Sequence, residues 1–592
     1  MGHKNQSSIS RHCLLIVAAA LGLGPWAAAA AAHDLKQQDA QPRYEGPGFI
    51  RAAGGAPPTD FDASGVQLQA WLPLGDFDDV LGAKVQTGND LWGYVSPSGG
   101  EYAILGSKQG VAFVDVTKPA APEIIAGFGG STTMWRDVKT YEHYAYVVTG
   151  GSVPNFDVYD LAQIDQGVVS HLRTVNSGSA HNVTIDTDSG FLYRTGNQAG
   201  GLVIYDLGAD PVNPPQVGQW SKRSFHDAQA ITYRDGPYAG RQIVFGFTGG
   251  TRTLEILDVT DKSNIIELSS LRYSDAGYSH QGWLSPDGKY VYLNDEYDER
   301  DGWVPTTTTR VINVEDLENP VEVGTFTNGN TAIDHNLFIA YDKIFEANYR
   351  SGLRVFDASD PEAPVEIAHF DTYPDDDAAR FNGLWAAYPF FPSGTVIGSD
   401  YDRGLFIWTV DGHDPTGDVN LDFQFDVRDV DALLGEINQP SGKAIFDLDD
   451  DGLIDRQDLA FLVREVLDTE LGDANLDGRV DEADLEIMRA NWKAEGVGWS
   501  QADFTGDGLV NIADLTTVAQ FWQFGAADPA ASPLDVEAFL AGAEQVPEPS
   551  TAGLLLLGSV GLLAAGRRRG SLTAAARRRR PGTSRRRSFF RR

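Results

Sequence analysis

The sequence predicts a mainly β fold, a seven-bladed β-propeller followed by a small α-helical calcium domain of the EF-hand type. Three observations support this prediction. An apolar–x–apolar–Asp strand, followed by a turn and a second strand, recurs seven times between residues 66 and 411. Four twelve-residue loops with oxygen-bearing side chains at alternate positions follow between residues 417 and 524. At 592 residues the chain is also too long for one core, so several domains are expected.

Charge and cysteine content limit the classes of partner. The net charge is −37, from 46 basic and 83 acidic residues. The last 26 residues, from Arg567, hold twelve arginines and no acidic residue, so the rest of the chain carries −49. This acidic body argues against nucleic acid as a partner and favours divalent cations. The single cysteine, Cys13, lies in the predicted leader, so the mature protein has no disulfide or thiolate site.

Residues 1–32 have the pattern of a Sec signal peptide. A basic n-region with Lys4 and Arg11 precedes an apolar run from Leu14 to Leu23, and small residues suited to cleavage lie before His33. The pattern predicts export. Residues 33–65 are predicted to be a linker.

The repeated strand motif defines the predicted blades. The position that ends the motif, usually Asp, recurs every 44 to 55 residues and is occupied by Asp115, Asp160, Asp206, Asp258, Asn313, Asp357 and Thr409. Four short strands in about 40–50 residues is the size of one propeller blade. Residues 66–411 are therefore predicted to form seven blades, and the early strand "VQLQAWLPL" is expected to close the ring by joining the last one. A solenoid or a sandwich is the alternative.

The whole of this region resembles the choice-of-anchor B family, whose repeats are called LVIVD repeats. The stretches that carry the resemblance include "SAHNVTID", "FHDAQAITY", "YSHQGWLSPDGKYVYLNDEYDE", "AIDHNLFI" and "ANYRSGLRVFD". The resemblance implies a propeller that different proteins join to different surface anchors. It implies no established reaction.

Four histidines fall at the same phase of successive repeats, each opening the predicted innermost strand of its blade: His181, His226, His280 and His335. Asp137 and Asn382 hold the equivalent positions in two other blades. Such positions converge on the mouth of the central channel. Since imidazole clusters suit transition metals, the ring is expected to hold a ligand or one divalent metal. Glu296 and Asp400 are predicted to supply carboxylates nearby. The alternative is that each histidine makes a hydrogen bond inside its own blade.

The four calcium-type loops begin 29, 26 and 30 residues apart. Their ligand positions one, three, five and twelve are Asp418, Asn420, Asp422 and Asp429; Asp447, Asp449, Asp451 and Asp458; Asp473, Asn475, Asp477 and Asp484; and Asp503, Thr505, Asp507 and Asp514. Ca²⁺ takes six to eight oxygens, and a glycine at position six lets the loop turn. The loops predict up to four structural Ca²⁺ ions. Phe423 replaces that glycine in loop one, which is the weakest site. Acidic surface turns without metal are the alternative.

A loop followed by a helix, with Asp at position twelve, resembles dockerin type I repeats, and two pairs fill residues 417–524. Dockerins bind cohesin through polar residues at loop positions ten and eleven. Here those pairs are Val427-Arg428, Arg456-Gln457, Glu482-Ala483 and Ile512-Ala513. This departure argues against cohesin as a partner. The calcium prediction does not depend on it.

A second targeting signal lies near residue 550. After a predicted linker at 525–546 come Pro547-Glu548-Pro549, an apolar run from Ala552 to Gly566, and the cluster Arg567–Arg569. Residues 547–569 thus resemble the PEP-CTERM sorting signal of Gram-negative bacteria, with a short transmembrane helix. The resemblance implies membrane anchoring, processing by an exosortase, and delivery to the cell surface or extracellular matrix. A plain C-terminal anchor is the alternative, and an Arg-rich tail fills residues 570–592.

Familiar catalytic signatures are absent from the sequence, which has no G-x-S-x-G, H-E-x-x-H, Walker or C-x-x-C motif. The sequence therefore favours an exported, surface-sorted binding or adhesion protein whose propeller is a ligand-binding platform on a calcium-stabilised spacer. Matrix polysaccharide and surface proteins are the expected partners. The alternative is an extracellular polysaccharide hydrolase or lyase with its site at the channel mouth. The sequence identifies no catalytic residue for that reaction.

Overall fold

A computed structural model describes residues 36, 38–150, 155–178, 180–196, 201–449, 451–525, 534, 536 and 539–540. The predicted signal peptide, residues 1–32, and the predicted sorting signal, residues 547–569, lie outside the described residues. The described part divides into two compact units. One runs to residue 424 and includes 442–447, and the other comprises 425–441 and the residues from 448 onward.

The first unit contains seven antiparallel sheets. Three short strands precede the first blade: β1 (Phe49–Ile50), β2 (Ala63–Ser64) and β3 (Val66–Leu72). Blades one to three consist of β4 (Gly88–Val95), β5 (Glu101–Ser107), β6 (Gly110–Asp115), β7 (Glu123–Gly129), β8 (Val138–Tyr141), β9 (Tyr144–Thr149), β10 (Asn155–Gln163), β11 (Val168–Val175), β12 (Val183–Asp186), β13 (Phe191–Arg194), β14 (Leu202–Asp206) and β15 (Gln216–Trp220).

Blades four to six have the same order of strands. They consist of β16 (Asp227–Thr232), β17 (Gln242–Phe247), β18 (Leu254–Asp258), β19 (Ile266–Leu271), β20 (Ser279–Leu284), β21 (Tyr290–Asp295), β22 (Thr309–Asn313), β23 (Val321–Phe326), β24 (Asn336–Ala340), β25 (Lys343–Ala347), β26 (Leu353–Asp357) and β27 (Val365–Phe370). Blade seven consists of β28 (Leu384–Tyr388), β29 (Thr395–Asp400), β30 (Gly404–Val410) and the early strand β3.

The ring closes as the sequence predicts. Strand β3 pairs antiparallel with β30, with Val66 opposite Val410 and Leu72 opposite Leu405. Strands β1 and β2 add fifth strands to blades seven and six. The seven-bladed propeller is therefore confirmed, and the solenoid and sandwich alternatives are excluded.

The recurring Asp has a structural role at the end of each third strand. Asp115 Oδ1 accepts a hydrogen bond from the Thr117 amide at 2.9 Å, and Asp258 Oδ1 accepts one from the Thr260 amide at 3.0 Å. These bonds form the turn into the fourth strand, which explains why Asp and Asn recur there. The innermost strands β24 and β28 are buried along their whole length, whereas the outermost strand β23 is mostly exposed. The core therefore lies between neighbouring blades.

The helices lie mainly in the second unit. Two short ones in the propeller are α1 (Asp78–Leu81) and α2 (Asp298–Asp301), and the second unit has α3 (Val427–Asn438), α4 (Arg456–Phe461), α5 (Glu482–Ala490) and α6 (Ile512–Phe521). A π-helical turn, Leu462–Val466, continues α4. Trp499 is fully buried in this unit and donates its indole N–H to the Asp473 carbonyl at 2.7 Å. None of the helices among the described residues has the length and apolarity needed to cross a membrane.

Candidate cation sites of the propeller and the loop domain

The four channel histidines lie where the innermost strands of blades three to six begin. His181 lies two residues before β12, His226 directly precedes β16, His280 is the second residue of β20, and His335 directly precedes β24. This is the phase predicted from the repeats.

Carbonyl groups of the next blade fix three of these rings. His226 Nδ1 lies 3.0 Å from the His280 carbonyl, His280 Nδ1 lies 3.3 Å from the His335 carbonyl, and His335 Nδ1 lies 2.7 Å from the Trp385 carbonyl. A carbonyl oxygen only accepts, so Nδ1 carries the proton in each neutral ring and Nε2 keeps its lone pair. The hydrogen bonds run between blades, not inside one blade as the alternative expected.

The four histidine rings form a ladder along the beginnings of the innermost strands of blades three to six, the place that the sequence predicts to be the channel mouth. Neighbouring ring centroids are 4.3, 4.2 and 4.2 Å apart from His181 to His335. Within this ladder, one ligand atom each of His280, Glu296 and His335 lies within 4.8 Å of the others. His181 and His226 are not part of that group. The structure thus brings together two imidazoles and a carboxylate, where the sequence led us to expect a ring of imidazoles.

Glu296, which directly follows β21, is the centre of the group. Its carboxylate oxygens lie 3.8 Å from His280 Nε2 and 3.7 Å from His335 Nε2. The Tyr349 hydroxyl donates a hydrogen bond to Glu296 Oε1 at 2.8 Å, and Lys36 Nζ lies 2.8 Å from the same oxygen. His335 Nε2 is buried and has no hydrogen-bond partner. The lone pair on His335 Nε2 therefore makes no hydrogen bond and lies beside the ion pair of Lys36 and Glu296.

Burial sets the protonation of the site. Burial lowers the pKa of His226 to about 4 and that of His335 to about 3, and lowers the pKa of His181 and His280 well below the usual value. Burial is the largest single influence on Glu296 and raises its pKa, but the charge and hydrogen bond of Lys36, together with the neighbouring histidines, lower the pKa below its usual value. The group therefore contains neutral imidazoles and an ionised carboxylate, which is the state that metal ligands require.

The two remaining ring positions bind protein groups instead. Asp137 accepts hydrogen bonds from Lys139 Nζ at 2.7 Å and from the Val183 amide at 2.9 Å. Asn382 Oδ1 accepts a hydrogen bond from the Arg350 guanidinium at 2.7 Å. Neither residue is in the group that converges on Glu296. Both positions are therefore structural in this conformation.

Two polar residues near the ring, Gln281 beside His280 and the expected carboxylate Asp400, join parts of the fold. Gln281 donates to the Leu337 carbonyl and accepts from the Leu337 amide, which links blades five and six. Asp400 accepts hydrogen bonds from the Asp402 and Arg403 amides at 2.9 and 2.8 Å, so it shapes a turn. Of the two carboxylates expected near the ring, only Glu296 belongs to the metal-ligating group found among the described residues.

A second acidic group lies in the same blade region and was missed by the sequence analysis. One carboxylate oxygen each of Asp298, Glu299 and Asp334 lies within 4.8 Å of the others. Arg310 pairs with Asp298 at 2.5 Å, and the Thr308 amide donates to Glu299 at 3.0 Å. Burial, reinforced by the neighbouring carboxylates, raises the pKa of Glu299 and Asp334 well above the usual values. Arg310 thus offsets part of the charge of this cluster, and the raised pKa values favour protonated carboxyl groups in it.

Loop three of the second unit has a closed calcium-loop geometry. Gly478 at position six has a φ of 83°, and its amide donates to Asp473 Oδ2 at 2.9 Å. At position twelve, Asp484 accepts hydrogen bonds from the Ala474 and Asp481 amides, both at 2.8 Å. The first and last carboxylates of the loop are therefore held at its centre. This oxygen-rich arrangement fits Ca²⁺.

Loop four repeats the arrangement. Gly508 at position six has a φ of 80° and donates to Asp503 Oδ2 at 2.7 Å, while Asp514 Oδ1 accepts a hydrogen bond from the Thr505 amide at 3.0 Å. Position nine, which is Asn511 here, caps the helix that follows, and Asp514 reaches back to the Asn511 amide. The position-twelve aspartate thus both closes the loop and starts the helix.

Loop two keeps the ligand geometry. One carboxylate oxygen of Asp449 lies within 4.8 Å of one of Asp451. Gly452 at position six has a φ of 85°, and Asp458 accepts a hydrogen bond from the Leu448 amide at 2.7 Å. Loop two therefore fits a cation as well.

Loop one differs. Phe423 holds position six with a φ of 65°, a conformation that costs energy for a residue with a side chain. Its ring lies 4.7 Å from that of Phe390. Asp422 pairs with the Arg234 guanidinium at 2.9 Å, and Asp418 accepts a hydrogen bond from the Tyr341 hydroxyl at 3.0 Å. A protein cation therefore already lies beside the predicted ligands of loop one.

Several functional residues had no clear signal in the sequence. Lys36 lies in the predicted linker, and a single lysine there gives no pattern. Tyr349 approaches Glu296 and Trp385 approaches Lys36 from other blades, which only the fold reveals. The helix caps at loop position nine were readable, because the D-x-x-D and N-x-x-D spacings between positions nine and twelve form capping boxes.

Two family matches bear on these sites. Residues 471–522 match the Dockerin type I domain, which covers loops three and four, and residues 545–569 match the PEP-CTERM protein-sorting motif. Dockerin type I domains bind calcium and cohesins, and PEP-CTERM signals are processed by exosortase in Gram-negative bacteria. The chain thus has the features of an exported, surface-sorted protein with a propeller and a dockerin domain. Membership of the choice-of-anchor B family stays a prediction.

No curated protein matches the chain. Among solved structures, it is similar to the Kuenenia stuttgartiensis hydrazine synthase, with 11% identity, coverage of 53% of this chain and 94% of that one, and a TM-score of 0.39. A functionally unknown protein from Desulfotomaculum acetoxidans has 18% identity, coverage of 49% and 86%, and a TM-score of 0.36. A Lactobacillus plantarum protein has 14% identity, coverage of 49% and 84%, and a TM-score of 0.37. All three scores lie below 0.5, so the fold assignment rests on the strand pairing.

Proposed function

We propose that this protein is a surface-displayed binding protein whose propeller is the ligand-binding platform and whose channel mouth is the binding site. The sorting motif and the dockerin match support display outside the cell. The cluster of His280, Glu296 and His335 supports the position of the site. The dockerin-type unit is the calcium-stabilised spacer between platform and anchor.

The orientation of two histidine rings is the main support for a metal site at the channel mouth. The inter-blade hydrogen bonds hold the rings of His280 and His335 with Nδ1 protonated, so their Nε2 lone pairs are available to a metal beside Glu296. Histidines that bind metals generally donate their other N–H to a carbonyl or a carboxylate. The ligand we propose is a divalent transition metal of the Zn²⁺ type, held by these three residues.

The calcium proposal follows from the loops. Loops two, three and four have glycine at position six and carboxylates held inside the loop, whereas Arg234 is already paired with a ligand position of loop one. We therefore propose three structural Ca²⁺ ions. Extracellular calcium modules bind with a Kd of about 10⁻⁴–10⁻³ M, so the spacer is folded outside the cell, where calcium is plentiful.

The partner we propose is a polysaccharide of the extracellular matrix. A metal held by three protein ligands keeps an open position that accepts a carboxylate or hydroxyl oxygen. A surface protein that offers a carboxylate is the other candidate. Cohesin is not proposed, because loop positions ten and eleven lack the polar pairs that cohesins recognise.

The geometry favours binding over polysaccharide cleavage. A hydrolase or lyase at the mouth would need a proton donor beside a base. Burial leaves His280 and His335 neutral, and Lys36 keeps Glu296 ionised, so these groups are all in the basic form.

Calorimetric titration with Zn²⁺ tests the channel site. The metal-free full chain is measured in calcium-saturated buffer beside the variants His280→Ala and His335→Ala. His171→Ala is the matched control, since His171 is exposed and pairs with Asp157 at 3.0 Å away from the group. We expect each channel variant to lose about 10–100-fold in affinity and the control to keep it. Equal Zn²⁺ affinity in His280→Ala and the wild type would refute the proposed metal site.

A further inference from the structure

The channel mouth already holds a cation, which belongs to the chain itself. Lys36 is only 2% exposed, and its Nζ lies 2.8 Å from Glu296 Oε1. The same nitrogen lies 4.3 Å from the ring centre of Trp385, 5.5 Å from that of Phe381 and 5.8 Å from that of Tyr349. A carboxylate and three aromatic rings therefore surround the ammonium group.

This surrounding is a complete ammonium cage. Trp385, Phe381 and Tyr349 are 2%, 1% and 0% exposed, so the ammonium has lost its water. Aromatic faces attract desolvated cations, and ammonium groups are the cations that aromatic cages recognise. The Tyr349 hydroxyl also donates to Glu296, which fixes the carboxylate that faces Lys36.

The cage and the metal group share one residue. Glu296 lies 2.8 Å from Lys36 Nζ, 3.8 Å from His280 Nε2 and 3.7 Å from His335 Nε2. A metal bound to these three ligands would lie about 2.0–2.2 Å from each ligand atom. It would therefore be within a few ångströms of the ammonium, in a site where burial weakens the screening of like charges. The two cations would therefore compete for one buried carboxylate and repel each other at short range.

The segment that carries Lys36 is anchored behind it. Arg43 donates to Asp78 at 2.8 Å and to the Val85 carbonyl at 2.7 Å, and the Tyr44 amide donates to the Asp402 carbonyl at 2.9 Å. Ahead of Arg43, Asp39 accepts a longer hydrogen bond of 3.4 Å from the Phe381 amide. Withdrawal of Lys36 thus requires movement only of the short segment before Arg43, while the propeller keeps its pairing.

We infer that Lys36 is an intramolecular ligand of the channel-mouth site, and that its ammonium group and a divalent metal bind Glu296 in mutually exclusive states. The inference rests on the proposed metal site and adds the control of that site by the N-terminal segment. Cleavage of the predicted signal peptide before His33 would make Lys36 the fourth residue of the mature chain.

The test compares metal affinity with and without the ammonium group. Zn²⁺ titrations use the wild-type full chain, Lys36→Met, which keeps the length of the side chain, and Lys36→Ala. Lys84→Met is the matched control, because Lys84 also pairs with a glutamate, Glu45 at 2.7 Å, but is exposed. We expect both Lys36 variants to bind Zn²⁺ about 100-fold more tightly than the wild type and the Lys84 variant, the upper range of coupling between ligands.

A chemical rescue identifies the cation class. n-Butylammonium has the charge and length of the removed lysine side chain. It should bind Lys36→Ala, as seen in a rise of the melting temperature, and should weaken Zn²⁺ binding to that variant but not to the wild type. The further change Glu296→Gln should abolish the binding of n-butylammonium.

The outcomes separate the two proposals. Equal Zn²⁺ affinities of the wild type and Lys36→Met would overturn the exclusion and leave the metal site standing. Absence of Zn²⁺ binding in every variant would overturn the metal site and the exclusion together. Failure of n-butylammonium to bind Lys36→Ala, with the variant folded by circular dichroism, would overturn the assignment of Lys36 as the ligand of an ammonium cage.

Discussion

At the scale of single residues, the chemistry of the channel mouth depends on which ring nitrogen of each histidine is already in a hydrogen bond. A histidine in a strand can offer either ring nitrogen. In this propeller the carbonyls of the next blade engage Nδ1 of His226, His280 and His335, so each ring presents Nε2. Neutral rings beside an ionised Glu296 form a site that attracts a cation. In this structure the ammonium group of Lys36 pairs with Glu296 there.

A buried carboxyl elsewhere in the propeller gives a prediction for pH dependence. Glu346 accepts hydrogen bonds from the Thr309 hydroxyl at 2.6 Å and the Asn348 amide group at 2.7 Å, and burial raises its pKa to about 7. Its ordinary value is 4.5, so folding favours the protonated form. The stability that this form contributes is complete below pH 4.5 and is lost as the pH rises through 7. The loss is about 3 kcal/mol.

The variant Glu346→Gln cannot ionise, so it should lack this loss. Denaturant unfolding at pH 5 and pH 8 measures the free energy of unfolding of both proteins. Relative to wild type, the variant should gain about 2.5 kcal/mol on going from pH 5 to pH 8, since a small part of the change has already occurred at pH 5. The same difference between the two proteins at both pH values would show that Glu346 is ionised in the fold.

At the scale of elements, each calcium loop and the helix after it are one unit. Asp484 and Asp514 close loops three and four and also accept the amide of the residue that caps the following helix. Loss of the ion leaves the clustered carboxylates to repel one another, which weakens the loop and the helix start together. Loop one is the exception, because Arg234 pairs with Asp422.

Single-ligand variants should show this difference. We expect Asp473→Ala and Asp503→Ala each to lower the calcium-dependent rise in melting temperature of the second unit, since each removes the first ligand of a loop. Asp418→Ala is the matched change in loop one and should leave the calcium dependence unaltered. Calorimetry with calcium and with chelator measures the effect. A calcium response lost equally in all three variants would contradict the special status of loop one.

The sequence predicts the elements better than the contacts between them. The spacing of the Asp anchors predicts seven blades because each Asp forms the same turn, and the phase of the histidines predicts their place on the inner strands. The loop spacing also predicts the dockerin match at residues 471–522. Lys36 and Tyr349 were not predicted, because Tyr349 meets Glu296 across neighbouring blades and Lys36 reaches it from the segment before β1. Likewise, nothing local to Asp422 reveals its pairing with Arg234, 188 residues away.

At the scale of the whole molecule, segments on either side of the propeller sequence affect its ring closure, its histidine site and the sorting of the protein. Strand β3 closes the propeller against β30, and the segment before it brings Lys36 to the channel mouth. The other end carries the sorting motif at residues 545–569. The sorting motif is typical of an exported, surface-sorted protein, and outside the cell calcium is available to the loops.

Replacing Pro547, Glu548 and Pro549 with alanine tests the sorting step. The variant should stay uncleaved and be held in the inner membrane, because the motif that precedes the apolar run is lost. Fractionation and immunoblotting of the native host compare it with the wild type. A conservative change of Arg567 to Lys serves as the control, since it keeps the positive flank. Normal surface delivery of the alanine variant would rule out exosortase recognition through this motif.

The most direct measurement of the central claim is the position of a bound metal. Crystals of the Lys36→Met chain grown with Zn²⁺ would be measured on both sides of the zinc absorption edge. The account predicts an anomalous peak about 2.0–2.2 Å from Nε2 of His280, Nε2 of His335 and the Glu296 carboxylate. Zinc peaks at other sites of the protein, with none at the channel mouth, would contradict it.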